Sequence, residues 1–120
     1  MKTAYQKGVD AEGVAERYFK KAKYKVLARR YKTKFGEVDL VLFKDGVVVF
    51  VEVKQRRNLE DSLYAITPKN RRRVEQAALY FMSQHEEYAD AGMRFDVFVV
   101  GWDGDKIVSR HLDNAWEAGA

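Results

Sequence analysis

Two apolar runs separated by an Asp-Gly turn constrain the fold of this chain more than any other feature. The runs occupy residues 38–43 and 47–53, and Lys44, Asp45 and Gly46 lie between them. Asp-Gly between β-branched segments predicts a hairpin with a type I′ turn, because that turn needs positive φ at both central positions. Both faces of each run are apolar, so we expect the hairpin to lie in a sheet that is covered on both sides.

The rest of the chain predicts two helices and three more strands. Apolar residues recur at helical spacing over about 5–22. Thr67 and Pro68 have the chemistry of a helix N-cap and a first helical position, and this second helix is expected to end near 85–88. Further strands are predicted at 24–34, 94–101 and 106–112. The order α-β-β-β-α-β-β predicts an α/β fold with a mixed central β-sheet flanked by helices.

Length and composition narrow the class of protein. A chain of 120 residues with one Pro, eight Gly and 47% apolar residues fits a single domain over 1–120. The absence of Cys excludes a disulfide scaffold, a thiolate zinc site and a Cys nucleophile. No apolar run approaches the roughly 20 residues that span a bilayer, and the N-terminus lacks the apolar stretch of a secretory signal. These features predict a cytoplasmic protein without a membrane partner.

The net charge of +4 conceals an asymmetry along the chain. Residues 1–73 contain 19 Lys and Arg against 9 Asp and Glu, whereas residues 74–120 contain 3 against 9. The first part therefore carries +10 and the second −6. A basic part of this size favours a polyanionic partner, although a solvated surface with uneven charge explains it equally well.

Four charged residues interrupt the apolar hairpin. If Asp45 and Gly46 form the turn, cross-strand partners have residue numbers that sum to 91. Asp39 then lies opposite Glu52, and Glu37 lies opposite Lys54, all on one face. Opposed carboxylates repel one another, and a divalent cation would offset that repulsion. The pattern indicates a Mg²⁺ or Mn²⁺ site beside a lysine, as phosphodiester hydrolysis requires; the alternative is a salt-bridge cluster at the strand ends.

The motifs that carry these charges resemble those of a known family. Residues 36–41 read GEVDLV and residues 49–56 read VFVEVKQR. They resemble the GEIDLI and VFVEVKxR signatures of the YraN-like family of small bacterial proteins. The resemblance covers about residues 8–100 and includes further matches at Gly8, Glu12, Ala15, Lys69, Ala77, Ala78 and the Arg-Phe-Asp-Val segment that begins at Arg94. It implies a restriction-endonuclease-like core similar to that of archaeal Holliday-junction resolvases.

The resemblance also implies a site. Asp39 and Glu52 would be metal ligands, Lys54 the catalytic cation, and Glu12 a further acid that faces the same metal from the first helix. Glu37 and Gln55 would support them, with Glu37 acting on Lys54. Among predicted contacts with nucleic acid, the resemblance supplies Arg56. The basic stretches of the sequence themselves supply Arg29, Arg30, Lys32, Lys34, Lys69 and Arg72, although a solvated helix face explains Lys69 and Arg72 at least as well.

Three functional hypotheses follow. The first is a metal-dependent endonuclease that hydrolyses phosphodiester bonds in DNA, with branched or junction DNA as the implied substrate. A homodimer is expected if junctions are cut, because two symmetric cuts need two sites. The second is a nucleic-acid-binding module that has the same fold and cuts nothing. The third is an interaction protein whose acidic part, 74–120, docks a basic partner.

Overall fold

The computed structural model describes residues 10–119, apart from the side chains of residues 63 and 64. The first helix, α1, spans Ala11–Lys21, and the second, α2, spans Pro68–Gln84. The strands are β1 (Lys25–Lys32), β2 (Glu37–Lys44), β3 (Val47–Gln55), β4 (Gly92–Asp103) and β5 (Lys106–Trp116). Short 3₁₀ turns occur at Leu59–Tyr64 and Glu86–Tyr88. The predicted order α-β-β-β-α-β-β is confirmed, whereas the proposed helical residues 5–9 lie outside the described part.

The five strands form one mixed sheet in the order β1-β2-β3-β4-β5. Only β3 and β4 run parallel, because α2 carries the chain across the sheet between them. The hairpin is confirmed, since Asp45 and Gly46 have φ of 51° and 79°, the positive values that a type I′ turn needs. Its register also matches the prediction, from Lys44 opposite Val47 to Leu40 opposite Val51.

Both faces of the sheet are covered, as the apolar strands predicted. On one face, α1 buries Ala15 and Phe19 against β2, β3 and β4. On the other face, α2 buries Val74, Ala78 and Phe81 against the same strands. This α/β architecture is consistent with a restriction-endonuclease-like fold. Within residues 10–119, neither helix is long and apolar enough to cross a membrane.

Several predicted boundaries change. Helix α1 begins after its cap residue Asp10, β1 is shorter than the predicted 24–34, and β4 is longer than 94–101. The second helix begins as predicted, with the Thr67 side chain accepting from the Asn70 N–H, but ends at Gln84, where His85 leaves helical geometry. Strand β5 continues past residue 112 to Trp116. The pairing of β4 with β5 shifts register between Phe95 and Val97, and Asn114 has a positive φ of 48°. Strand β5 continues through both irregularities. Such irregularities depend on tertiary contacts that a local sequence pattern does not contain.

Candidate functional site

The β2/β3 hairpin changes its hydrogen bonding where the two predicted carboxylates lie. Beyond the pair Leu40 and Val51, side chains supply the bonds between the strands. The Val53 N–H donates to Asp39 Oδ2 at 2.7 Å, and the Asp39 N–H donates to Glu52 Oε1 at 3.3 Å. Each carboxylate therefore binds the backbone of the opposite strand, and the two acids are held side by side.

The face that the strand presents also changes at Asp39. Val38 packs in the core cluster beneath α2, whereas Leu40, two residues later, packs in the cluster beneath α1. Regular alternation would place both side chains on one face. The interruption leaves Asp39 half-buried at the border of the helix α1 side, where it lines a cleft with Glu12 and Arg30.

The environment of Glu52 disfavours its charge. Glu52 is only 8% exposed. Burial, followed by repulsion from Asp39, raises the pKa of Glu52 to about 7 despite the opposing charge of Lys54. Burial also raises the pKa of Asp39, and the charge of Glu12 adds to that effect. A cation bound between the two acids would offset both the burial of their charge and their mutual repulsion.

Lys54 is a compensating cation beside Glu52. Its Nζ lies 3.5 Å from Glu52 Oε2, and both side chains are largely shielded from solvent. Glu37, predicted to support Lys54, is exposed and lies 3.9 Å from an Arg73 guanidinium nitrogen on α2. Gln55, the other predicted supporting residue, lines a cleft of about 360 Å³ together with Glu12 and Asp39.

Glu12 approaches this site from α1 but is held by an arginine. Asp10 caps the helix by accepting from the Gly13 N–H, which fixes the first turn that carries Glu12. Arg30 Nε donates to Glu12 Oε2 at 3.0 Å, and a terminal guanidinium nitrogen lies 2.9 Å from the same oxygen. Within residues 10–119, no three carboxylate or imidazole groups are close enough to hold one ion together. The donor set still fits Mg²⁺ or Mn²⁺, because such ions bind through one or two carboxylates and keep several waters.

The predicted nucleic-acid contacts fall into two groups. Arg29 and Arg30 are paired with Glu16 and Glu12 on α1, and Arg56 donates to the carbonyl oxygens of Gln55 and Ala65. Arg29 and Arg30 remain exposed despite these ion pairs, whereas Arg56 is half-buried. Lys32 and Lys34 near the β1/β2 turn and Lys69 and Arg72 at the start of α2 are also exposed. All of these cations except Arg56 therefore lie where phosphate could reach them.

A second polar cluster, which the sequence analysis did not identify, lies around Asp96. Asp96 is fully buried and accepts hydrogen bonds from Arg94 and from His111 Nε2, the latter at 2.6 Å. The Asn114 N–H donates to it at 3.0 Å, and the Tyr18 hydroxyl lies 3.1 Å from His111 Nδ1. The cluster joins β4, β5 and α1, so it fixes the helix that carries Glu12. In the sequence, this cluster is indicated only by two charged residues, Arg94 and Asp96, in an otherwise apolar strand.

Comparison with known proteins identifies similar chains of comparable length. The model of a family described as "Uncharacterised protein family UPF0102" matches residues 11–100. A UPF0102 protein of Rhodopseudomonas palustris strain CGA009 is 41% identical over 96% of this chain and 86% of its own length. A UPF0102 protein of strain BisA53 is 39% identical over 96% and 86%, and one of Bradyrhizobium diazoefficiens is 36% identical over 96% and 84%. The matched segment contains Glu12, Asp39, Glu52 and Lys54.

Proposed function

The chain belongs to the UPF0102, or YraN, family, and from its site we propose that it is a divalent-metal-dependent nuclease that hydrolyses phosphodiester bonds in DNA. The observation that carries this proposal is the buried pair of Asp39 and Glu52, held side by side with Lys54 at 3.5 Å. Burial raises the pKa of both carboxylates, so the folded chain maintains an arrangement that is unfavourable without a cation.

The residues fit distinct parts of the proposed reaction. Asp39 and Glu52 would hold Mg²⁺ or Mn²⁺, which supplies charge stabilisation for the phosphoryl group and lowers the pKa of a bound water. Lys54 would orient that water or offset charge on the phosphate as it develops. Glu12, at the border of the same cleft, would reach the ion once it leaves Arg30.

The surroundings of the site support a nucleic-acid substrate. Lys32 lines a cleft with Glu37 and Asp39, and further exposed cations lie on the β1/β2 turn and at the start of α2. Phosphates of a strand lying along this surface would approach the carboxylate pair. Branched DNA is the proposed substrate, and a homodimer is proposed for symmetric cutting of junctions.

Cleavage assays test the proposal. Labelled four-way junction, flap and linear DNA are incubated with the full-length chain and Mg²⁺ or Mn²⁺, or with EDTA. We expect metal-dependent cleavage that Glu52→Gln and Lys54→Ala each reduce about 10²- to 10³-fold, because the first removes a proposed metal ligand and the second the cation beside the phosphate. Glu87→Gln is the matched control, since Glu87 is exposed beyond the end of α2.

The same assay separates the alternative function. Salt-dependent DNA binding without cleavage in either metal would support a binding module, an alternative favoured by the pairing of Glu12 with Arg30. Cleavage that survives in both Glu52→Gln and Lys54→Ala would place the activity elsewhere. No DNA binding at low salt would contradict both functions.

A further inference from the structure

The turn between β1 and β2 is held rigidly by a single threonine. Thr33 Oγ1 accepts hydrogen bonds from the N–H groups of Phe35 and Gly36 at 3.0 Å each, and it donates to the Gly36 carbonyl at 3.0 Å. The Thr33 N–H also donates to the Gly36 carbonyl, at 2.8 Å. These four bonds close the turn and fix the position of Phe35 between its two ends.

The same turn is pressed against α2. A Cβ at Gly36 would collide with the carbonyl oxygen of Arg73, so glycine is needed for this close approach. The turn is thus anchored both internally and to a helix. Phe35 is presented on a rigid support, which lowers the entropy that would be lost when a ligand binds.

Phe35 is a large apolar side chain left in solvent on that support. It is 51% exposed, and its ring centroid lies 6.0 Å from that of Tyr80 on α2, which is 39% exposed. Lys34 Nζ lies 5.2 Å from the centroid of the Phe35 ring. An exposed pair of aromatic rings with a cation against one of them matches the platforms on which nucleic-acid bases stack.

The charges around the two rings favour a polyanion over an apolar protein partner. Lys32 and Lys34 precede Phe35, and Arg72 and Arg73 are exposed on the first turns of α2. The neighbouring carboxylate, Glu37, pairs with Arg73. A protein interface of ordinary composition is depleted in lysine, whereas a strand-binding surface combines cations with aromatic rings.

We propose that Phe35, with Tyr80 beside it, stacks on an unpaired base of a nucleic-acid strand. The inference rests on the proposed nuclease function, because it places the strand relative to Asp39. Phe35 lies in the turn four residues before Asp39, so their Cα atoms are at most about 14 Å apart. This limit corresponds to about four base steps of 3.4 Å, so a strand held at Phe35 would reach the carboxylate pair within a few nucleotides.

Binding without cleavage tests the inference. The full-length chain in EDTA is titrated against a fluorescent oligo-dT strand and against a duplex of the same length, at low salt. Phe35→Ala is expected to raise the Kd for the single strand about 5- to 150-fold, the loss of one stacked base, and the Kd for duplex less than about twofold. Phe35→Leu should behave like Phe35→Ala, because it keeps apolar bulk but removes the ring. Ile107→Ala is the control, since Ile107 is 45% exposed on β5 at the opposite edge of the sheet.

A second measurement detects stacking itself. An oligo-dT strand with one 2-aminopurine should lose fluorescence on binding the wild-type chain, and Phe35→Ala should abolish that quenching. Unchanged single-strand affinity in Phe35→Ala, or an equal loss for duplex, overturns the inference. Loss of self-association alone, measured by sedimentation, would make Phe35 a protein contact and also overturns it.

The outcomes separate this inference from the proposed nuclease function. If the wild-type chain cleaves DNA and Phe35→Ala binds the single strand equally well, the stacking site is wrong and the nuclease proposal stands. If Phe35-dependent binding and quenching occur but no metal supports cleavage, the stacking site stands and the nuclease proposal is wrong. If the wild-type chain binds no DNA, both are wrong.

Discussion

Replacing Glu52 by Gln is expected to stabilise the metal-free protein at neutral and alkaline pH. Glu52 is 8% exposed and lies beside Asp39, so its charged form is penalised by burial and by a like charge. Glu52 Oε1 accepts a hydrogen bond from the Asp39 N–H at 3.3 Å, and the side-chain oxygen of Gln can accept the same bond. The substitution therefore removes the repulsion and preserves the contact.

The size of the effect follows from the pKa of Glu52. Its rise from an ordinary 4.5 to about 7 in the folded chain corresponds to about 3 kcal/mol. Because the folded pKa is the higher one, the folded state binds more protons than the unfolded state between these values. Stability from this group is fully present below the unfolded pKa and is lost as the pH rises through the folded pKa.

This figure already includes the opposing charge of Lys54, whose Nζ lies 3.5 Å from Glu52 Oε2 and lowers the pKa of that carboxyl. The loss of that ion pair in Gln is therefore not subtracted again. We expect a gain of up to about 3 kcal/mol above the folded pKa, or roughly 8–15 °C in Tm for a domain of this size. Below the unfolded pKa the difference disappears, because wild-type Glu52 is then already protonated.

Thermal unfolding followed by circular dichroism in EDTA measures this dependence. The Tm of wild type should fall between about pH 5 and about pH 8 relative to that of Glu52→Gln. Saturating Mg²⁺ should raise the wild-type Tm and leave that of Glu52→Gln nearly unchanged. Glu87→Gln, at an exposed position, should follow wild type throughout. If Glu52→Gln is less stable than wild type at about pH 8, the buried repulsion does not exist and the reasoning is wrong.

Three further predictions concern the surroundings of the site. Gly36→Ala should destabilise the fold by about 1–3 kcal/mol in chemical denaturation, because its Cβ would collide with the Arg73 carbonyl; an unchanged midpoint would show that the turn does not press on α2. Asp96→Asn should cost about 3 kcal/mol at neutral pH and flatten the acid limb of stability. Burial opposes the charge of Asp96, but hydrogen bonds from Arg94 and His111 hold its pKa below the ordinary value. The stability that the charged group contributes is therefore lost as the pH falls through that lowered pKa. Equal acid sensitivity of the Asp90→Asn and Asp96→Asn variants would contradict this. Arg30→Ala should tighten Mn²⁺ binding up to about fivefold in calorimetry by releasing Glu12, whereas Arg29→Ala, which releases Glu16, should not.

The hairpin could be predicted from the sequence because its determinants are local. Asp45 and Gly46 set the turn type, and the turn type sets the register as far as Leu40 opposite Val51, beyond which Asp39 and Glu52 follow along the two strands. The start of α2 was predictable for the same reason, since Thr67 and Pro68 specify it within one turn. The two carboxylates could therefore be located before the structure was known.

Other parts of the site depend on contacts between distant segments. The pairing of Glu12 with Arg30 joins α1 to β1, and no local pattern distinguishes it from other charges on that helix. The Asp96 cluster joins residues from three elements, including Tyr18 and His111. At the interruption of β2 by Asp39, Val38 packs on the α2 side and Leu40 on the α1 side. Such features are determined by tertiary packing, which overrides local propensity.

The central claim is that Asp39 and Glu52 share one divalent cation. Calorimetric titration of the metal-free, full-length chain with Mn²⁺ tests it most directly. We predict one saturable site per chain, at least about tenfold weaker in Glu52→Gln and unchanged in Glu87→Gln. Equal Mn²⁺ affinity in wild type and Glu52→Gln, or no saturable binding by wild type, would contradict the account.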